Sequence, residues 1–148
     1  MRILLVAHRF GPGHRGGVET WTASLQAGLR ALGHEAIVLT RDDTDLPPFT
    51  VRERDDGVLA IQHRFADARS HRETWADPRM EQAVWGALRL ARPDVVHVAH
   101  SDGFGAAPLR LGRRLGLATV ATLHDAAWIC GRGQMVRPPG RRCDAIDE

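Results

Sequence analysis

Four short, mostly apolar segments set the terms for everything else in this chain: Ile3–Ala7, Glu35–Thr40, Val95–Ala99 and Ala118–Leu123. Each is long enough for a strand and too short for a helix. The first is a continuous apolar run, which suits a parallel strand covered on both faces. Between the first two lies a segment in which Val18, Trp21, Leu25, Leu29 and Leu32 recur at steps of three and four, with Gly33 as a stop. That spacing gives an amphipathic helix with an apolar stripe. Strand, helix and strand within forty residues form a βαβ unit, whose crossover is right-handed. The expected class is α/β: a Rossmann-like, doubly wound, mainly parallel sheet.

The same pattern continues less evenly. Val51–Arg54 and Val58–Ile61 flank Asp56-Gly57, a pairing that predicts a hairpin. Residues 66–75 are polar and unpatterned and read as a loop. Pro78 after Asp77 suits the first position of a second helix, with Met80, Val84, Leu88 and Ala91 on one face. A third helix is expected between Ser101 or Asp102, either of which can serve as its cap, and Gly116. After Trp128 the pattern dissolves into Gly, Pro and Arg. With no covering helix behind the final strand, the chain reads as a fragment, incomplete at its C-terminus.

At 148 residues a single domain needs no metal or disulfide staple. The formal charge of +2 gives no argument for nucleic acid as a partner. All twenty basic residues are Arg, spread along the chain without a cluster. No apolar run approaches the roughly 20 residues that span a bilayer. The N-terminal Met1–Val6 run meets His8 and Arg9 without a cleavage site, so it reads as a strand rather than a secretory signal. Two cysteines, Cys130 and Cys143, fit a reducing compartment, and the expected location is the cytoplasm. A zinc site would need two further ligands, so no metal is expected.

In open α/β sheets, ligands bind beyond the carboxyl ends of the strands, at the switch in strand order. Three segments fall there: the glycine loop after the first strand, His100-Ser101-Asp102-Gly103, and His124-Asp125. Gly11-Pro12-Gly13-His14-Arg15-Gly16 matches G-x-G-x-x-G by letter. Its first glycine, however, is separated from the strand by His8-Arg9-Phe10. The candidate ribose-binding acid, Asp42, also lies about ten residues beyond the usual offset of about 20. Gly16-Gly17, at the helix entry, is better placed for a phosphate, although glycines chosen only for turn geometry fit equally well. His124, the candidate catalytic residue at a strand exit, can hydrogen-bond a sugar hydroxyl or phosphate or pass a proton, or else simply bond the backbone at the strand end. Asp125 beside it suits the start of a helical turn. The tryptophans 21, 75, 85 and 128 read as packing residues.

Taken together, Arg2–Val6, Gly16-Gly17-Val18-Glu19, Leu32-Gly33-His34-Glu35, Pro93–His97 and Thr122-Leu123-His124-Asp125 resemble the N-terminal domain of family four glycosyltransferases. The stretch from Trp128-Ile129-Cys130 to Cys143 is similar to a subgroup with cysteines after that histidine. The resemblance implies one half of a two-domain GT-B architecture that transfers a sugar from a nucleotide-sugar donor to an acceptor hydroxyl with retention. It implies that Gly16 and Gly17 cover the donor diphosphate and that His124 lies at the transferred sugar. Ser101, Asp102 and Asp125 would line the acceptor side. It further implies no cofactor beyond the nucleotide-sugar co-substrate, a sugar or lipid-linked acceptor, and a location that extends to the inner face of the cell membrane. The nucleotide-holding C-terminal domain is absent from residues 1–148, so the chain alone is expected to be inactive. The competing expectation is a stand-alone nucleotide-, dinucleotide- or partner-binding module without catalysis.

Overall fold

The computed structural model describes residues 1–13, 16–63, 75–130, 135–137 and 140–142. The expected loop at 66–75 lies outside these residues except for Trp75, as does Cys143. The elements in chain order are β1 (Arg2–Val6), α1 (Gly17–Ala31), β2 (Glu35–Asp42), β3 (Val51–Glu53), β4 (Leu59–Gln62), α2 (Pro78–Ala91), β5 (Val95–Val98), α3 (Ala107–Arg114), β6 (Ala118–Ala121), a single 3-10 turn (Ala126–Trp128), β7 (Val136–Arg137) and β8 (Arg141–Arg142).

Six strands form one sheet in the order β3-β4-β2-β1-β5-β6, and only β3 runs antiparallel to its neighbour. The order reverses at β1, so the switch point falls between β1 and β5. The expected hairpin is present, and its second strand also pairs in parallel with β2. Beyond the expected elements, β7 and β8 form a separate two-stranded ribbon.

Alternation along β1 divides the core. Leu4 and Val6 point to the face where α2 and α3 pack, meeting Val84, Leu88 and Leu111. Ile3 and Leu5 point to the face of α1, where Leu25 and Leu29 are half-buried. Helix α2 follows the sequence reading closely. Asp77 caps it, its Oδ1 accepting from Arg79 N–H at 2.9 Å, with Pro78 in the first turn. Met80, Val84, Leu88 and Ala91 are all buried.

Two features depart from expectation. The apolar stripe of α1 does face the sheet, with Leu25 and Leu29 packed on the core, but polar Glu19, Thr22 and Gln26 are buried beside it, and Leu32, just past the helix, is 74% exposed. Burying polar groups costs little when their hydrogen bonds are met. Thr22 Oγ1 donates to Val18 O at 2.7 Å, and Gln26 Nε2 donates to Ala36 O at 3.1 Å, stitching α1 to β2. The second departure concerns α3, which neither Ser101 nor Asp102 caps. Its first residue is Ala107, and Ala106 precedes it without a side-chain cap. Phe104 and Gly105 donate their N–H groups to Ser101 O, so the intervening residues make a tight turn instead.

Candidate active site

The strands of the parallel core end on one edge, and their exits place side chains side by side. His8 follows β1, Arg41 closes β2, His63 follows β4, His100 follows β5, and His124-Asp125 follows β6. The first turn of α1 lies over the same edge.

Three sequence candidates meet there through a shared layer of rings and carboxylates. His100 Nδ1 accepts from Asp102 N–H at 3.2 Å, which leaves its Nε2–H to donate to Asp125 Oδ2 at 3.0 Å. The ring of His8 packs on that of His100, centroids 4.5 Å apart. His8 Nε2 in turn lies 3.5 Å from Glu19 Oε1. His124 is exposed and sits 4.7 Å from the Trp21 ring in an edge-on arrangement. Trp21 also meets His97, whose Nε2 is 2.8 Å from Thr122 Oγ1. Asp125 directly precedes the 3-10 turn, and its carboxylate reaches back to β5's exit through His100.

The electrostatics favour neutral imidazoles at His8 and His97. Burial pushes the His8 pKa below the ordinary 6.5, and neighbouring His100 pushes the same way, against the opposing pull of Glu19 and Asp102. Burial likewise lowers His97, with His124 adding to the effect. A neutral His8 beside a buried glutamate can hold a hydrogen bond without adding charge to the edge.

The two glycines at the helix entry separate on inspection. A Cβ on Gly16 would overlap the Glu19 carboxylate, so glycine there leaves Glu19 room to fold back beneath the loop. A Cβ on Gly17 would meet no atom within 4 Å. Gly17 is thus open on its side-chain face. Gly11, first in the G-x-G-x-x-G reading, is filled in another way: the Arg54 guanidinium of the hairpin lies against it and donates to Phe10 O at 2.9 Å. A side chain holds the space that a pyrophosphate would need, which counts against the dinucleotide reading.

Ser101 is buried at the turn after β5, and Asp102 is exposed beside it, 3.7 Å from Arg41 Nη2. Trp75 and Trp128 pack on each other, centroids 6.1 Å apart, and Trp128 lies against the main core. Among the described residues no group of three or more His, Cys, Asp or Glu could hold a metal ion.

Sequence reasoning missed His8, Glu19, Arg41 and His63. A signal existed for Glu19: with Thr22 and Gln26 it forms a polar stripe at helical spacing. Arg41 stands near the end of a buried strand, a place where a charge has little reason to be for packing alone. His8 and His63 carry no comparable signal in one sequence.

The pattern of Glycosyltransferase Family 4 matches residues 15–144. Glycogen synthase from two strains of Mycobacterium tuberculosis is 26% identical over 152 residues, covering 88% of this chain and 36% of that protein. The chain therefore spans about a third of the length of these relatives. Among solved structures, sucrose-phosphate synthase from Thermosynechococcus elongatus is similar at a TM-score of 0.56 and 17% identity, over 82% of this chain and 32% of that one. Shared fold is all that this likeness carries.

Proposed function

The chain belongs to glycosyltransferase family 4, and from that premise we propose that it is the acceptor-side domain of an enzyme moving a sugar from a nucleotide-sugar donor to an acceptor hydroxyl with retention. The observation that carries this reading is the convergence, on one edge of the sheet, of an open helix entry at Gly17, the His100–Asp125 pair and His124. Backbone N–H groups at a helix N-terminus favour a diphosphate. An exposed imidazole braced by Trp21 suits a sugar hydroxyl.

Transfer with retention on one face of the sugar lets the leaving phosphate assist deprotonation of the acceptor. His124 then positions and stabilises rather than serving as an obligatory base. Gly16 shapes the loop through Glu19, and Gly17 gives the donor its approach. Ser101 and Asp102 stand on the acceptor side, with Asp125 fixing His100 between them. Residues that grip the nucleotide would come from a further domain, so residues 1–148 alone are expected to show no turnover.

Assaying the full-length enzyme with nucleotide-sugar donors tests the reading. His124→Ala should lower turnover by about 10²-fold or more, the range in which removal of one transition-state contact falls, with the fold retained by circular dichroism. Unchanged kinetics in that variant, or efficient turnover by residues 1–148 alone, would overturn it.

A further inference from the structure

Two polar contacts join the end of β5 to the segment that leaves β6, and His124 sits between them. The parallel ladder pairs His97 with Val120 and Val98 with Ala121, then runs one bond further, Thr122 N–H donating to Val98 O at 2.9 Å. Beyond that bond the side chains take over. His97 Nε2 lies 2.8 Å from Thr122 Oγ1, and His100 Nε2 lies 3.0 Å from Asp125 Oδ2. Both contacts span the same 25 positions of the chain, so one register is repeated along the two segments.

Packing gives this stretch little help. Leu123 is 65% exposed, and His124 and Asp125 are exposed beside it. Among the described residues the His124 side chain makes no hydrogen bond of its own, and its ring rests edge-on against Trp21. Trp21 meets His97 in the same manner at 5.6 Å, so the ring that backs His124 is itself lodged against the first contact. Burial holds the His97 pKa below 6.5, with His124 adding to the effect, so near neutral pH its ring is uncharged. Such a ring shares a single proton with the threonine hydroxyl, which can donate or accept. In His100, Nδ1 is occupied by Asp102 N–H at 3.2 Å, which leaves Nε2–H for the carboxylate in a charge-assisted bond.

We propose that His97 with Thr122, and His100 with Asp125, are positioning residues that hold His124 where it meets the transferred sugar. The proposal rests on the transferase reading above and deepens it. The two pairs bracket residue 124 at positions 122 and 125, so neither has to touch substrate. Restraints on both sides of an exposed residue confine its backbone, where a single one would leave it free to swing. Alignment of this kind matters steeply for a reacting group, a misplacement of about 1 Å costing up to about 10²-fold.

Steady-state kinetics of the full-length enzyme tests this by coupling each restraint to His124. Thr122→Val keeps the shape and removes the hydroxyl. That variant and Asp125→Ala should each lower kcat by about tenfold or more while leaving the donor KM unchanged. Thr122→Ser, which restores a hydroxyl, should recover most of the loss. In a His124→Ala background neither Thr122→Val nor Asp125→Ala should cost anything further, since groups that act through one residue are not additive. Losses that multiply in full with that of His124→Ala, or a serine variant as slow as the valine one, overturn the proposal. Should Thr122→Val fail to fold, Asp125→Ala at the exposed end decides by the same cycle. Unchanged kinetics in His124→Ala would remove the role of His124 and this proposal with it. A loss in His124→Ala with both restraint variants at full rate would remove this proposal alone.

Discussion

Adjacent glycines at the entry to α1 do different work, and single substitutions separate them. Gly16→Ala makes the end of the Glu19 side chain swing off its place against His8. A flexible side-chain end yields more cheaply than backbone, so the cost falls at the low end of overpacking, about 1 kcal/mol, readable as a lower urea midpoint. Gly17→Ala meets open space, and the gain in helix propensity offsets any loss by up to about 1 kcal/mol. In the full-length enzyme Gly17→Ala should nonetheless raise the donor KM, and an unchanged KM would return Gly17 to a purely geometric role. The histidines set the acid response. His8 and His97 have folded pKa values below the unfolded value of 6.5, so the folded state binds fewer protons. Their contribution is intact above that value and is lost as pH falls below it. Chemical melts at pH 7.5 and pH 5.5 should show a loss that shrinks in the His8→Gln, His97→Asn double variant. An equal loss in both proteins would place the acid sensitivity elsewhere.

At the scale of elements, α2 and α1 show what patterning can and cannot convey. Helix α2 declares itself fully: Asp77 and Pro78 start it, and its apolar positions are the buried ones. Asp77→Ala should therefore cost about 1 kcal/mol, the usual worth of a cap, measured by thermal unfolding. No change would mean that the Asp77–Arg79 bond is replaced by solvent at no cost. Helix α1 is legible in its limits and in the inward turn of Leu25 and Leu29, but not in the polar residues buried beside them. Its buried polar residues are paid for by bonds to Val18 and to Ala36 of the next strand, and periodicity counts apolar atoms rather than bonds across elements. The turn after β5 was misread for a related reason. Ser101 and Asp102 have the chemistry of caps, but Ser101 gives its backbone carbonyl to a local turn, which delays α3 by several residues.

For the whole molecule, the strand pattern sufficed for the α/β class and for which candidate residues share one sheet edge, because both follow from strand direction and crossover hand. Composition said nothing of which residues would face one another across that edge, since His8, Arg41 and His63 come together only through strand order. Several residues that carry the family resemblance lie at the opposite edge. Arg2 bonds Glu35 at 2.7 Å, and its N–H donates to Asp94 at 2.7 Å, so these positions tie strand starts together and take no part in the site. Coverage of the sheet is also uneven. β1 is buried on both faces, whereas on β6 Val120 is 44% exposed. Amide exchange should consequently be slowest in β1 and fastest in β6 among the parallel strands, and uniform protection across the sheet would contradict that ranking.

The first turn of α1 joins these scales. Within five residues it presents Gly17 to open space, presses Glu19 toward His8, and sets Trp21 against both His97 and His124. One stiff turn thus serves as a common mounting for the loop, for the carboxylate beside His8 and for the ring against which His97 and His124 rest.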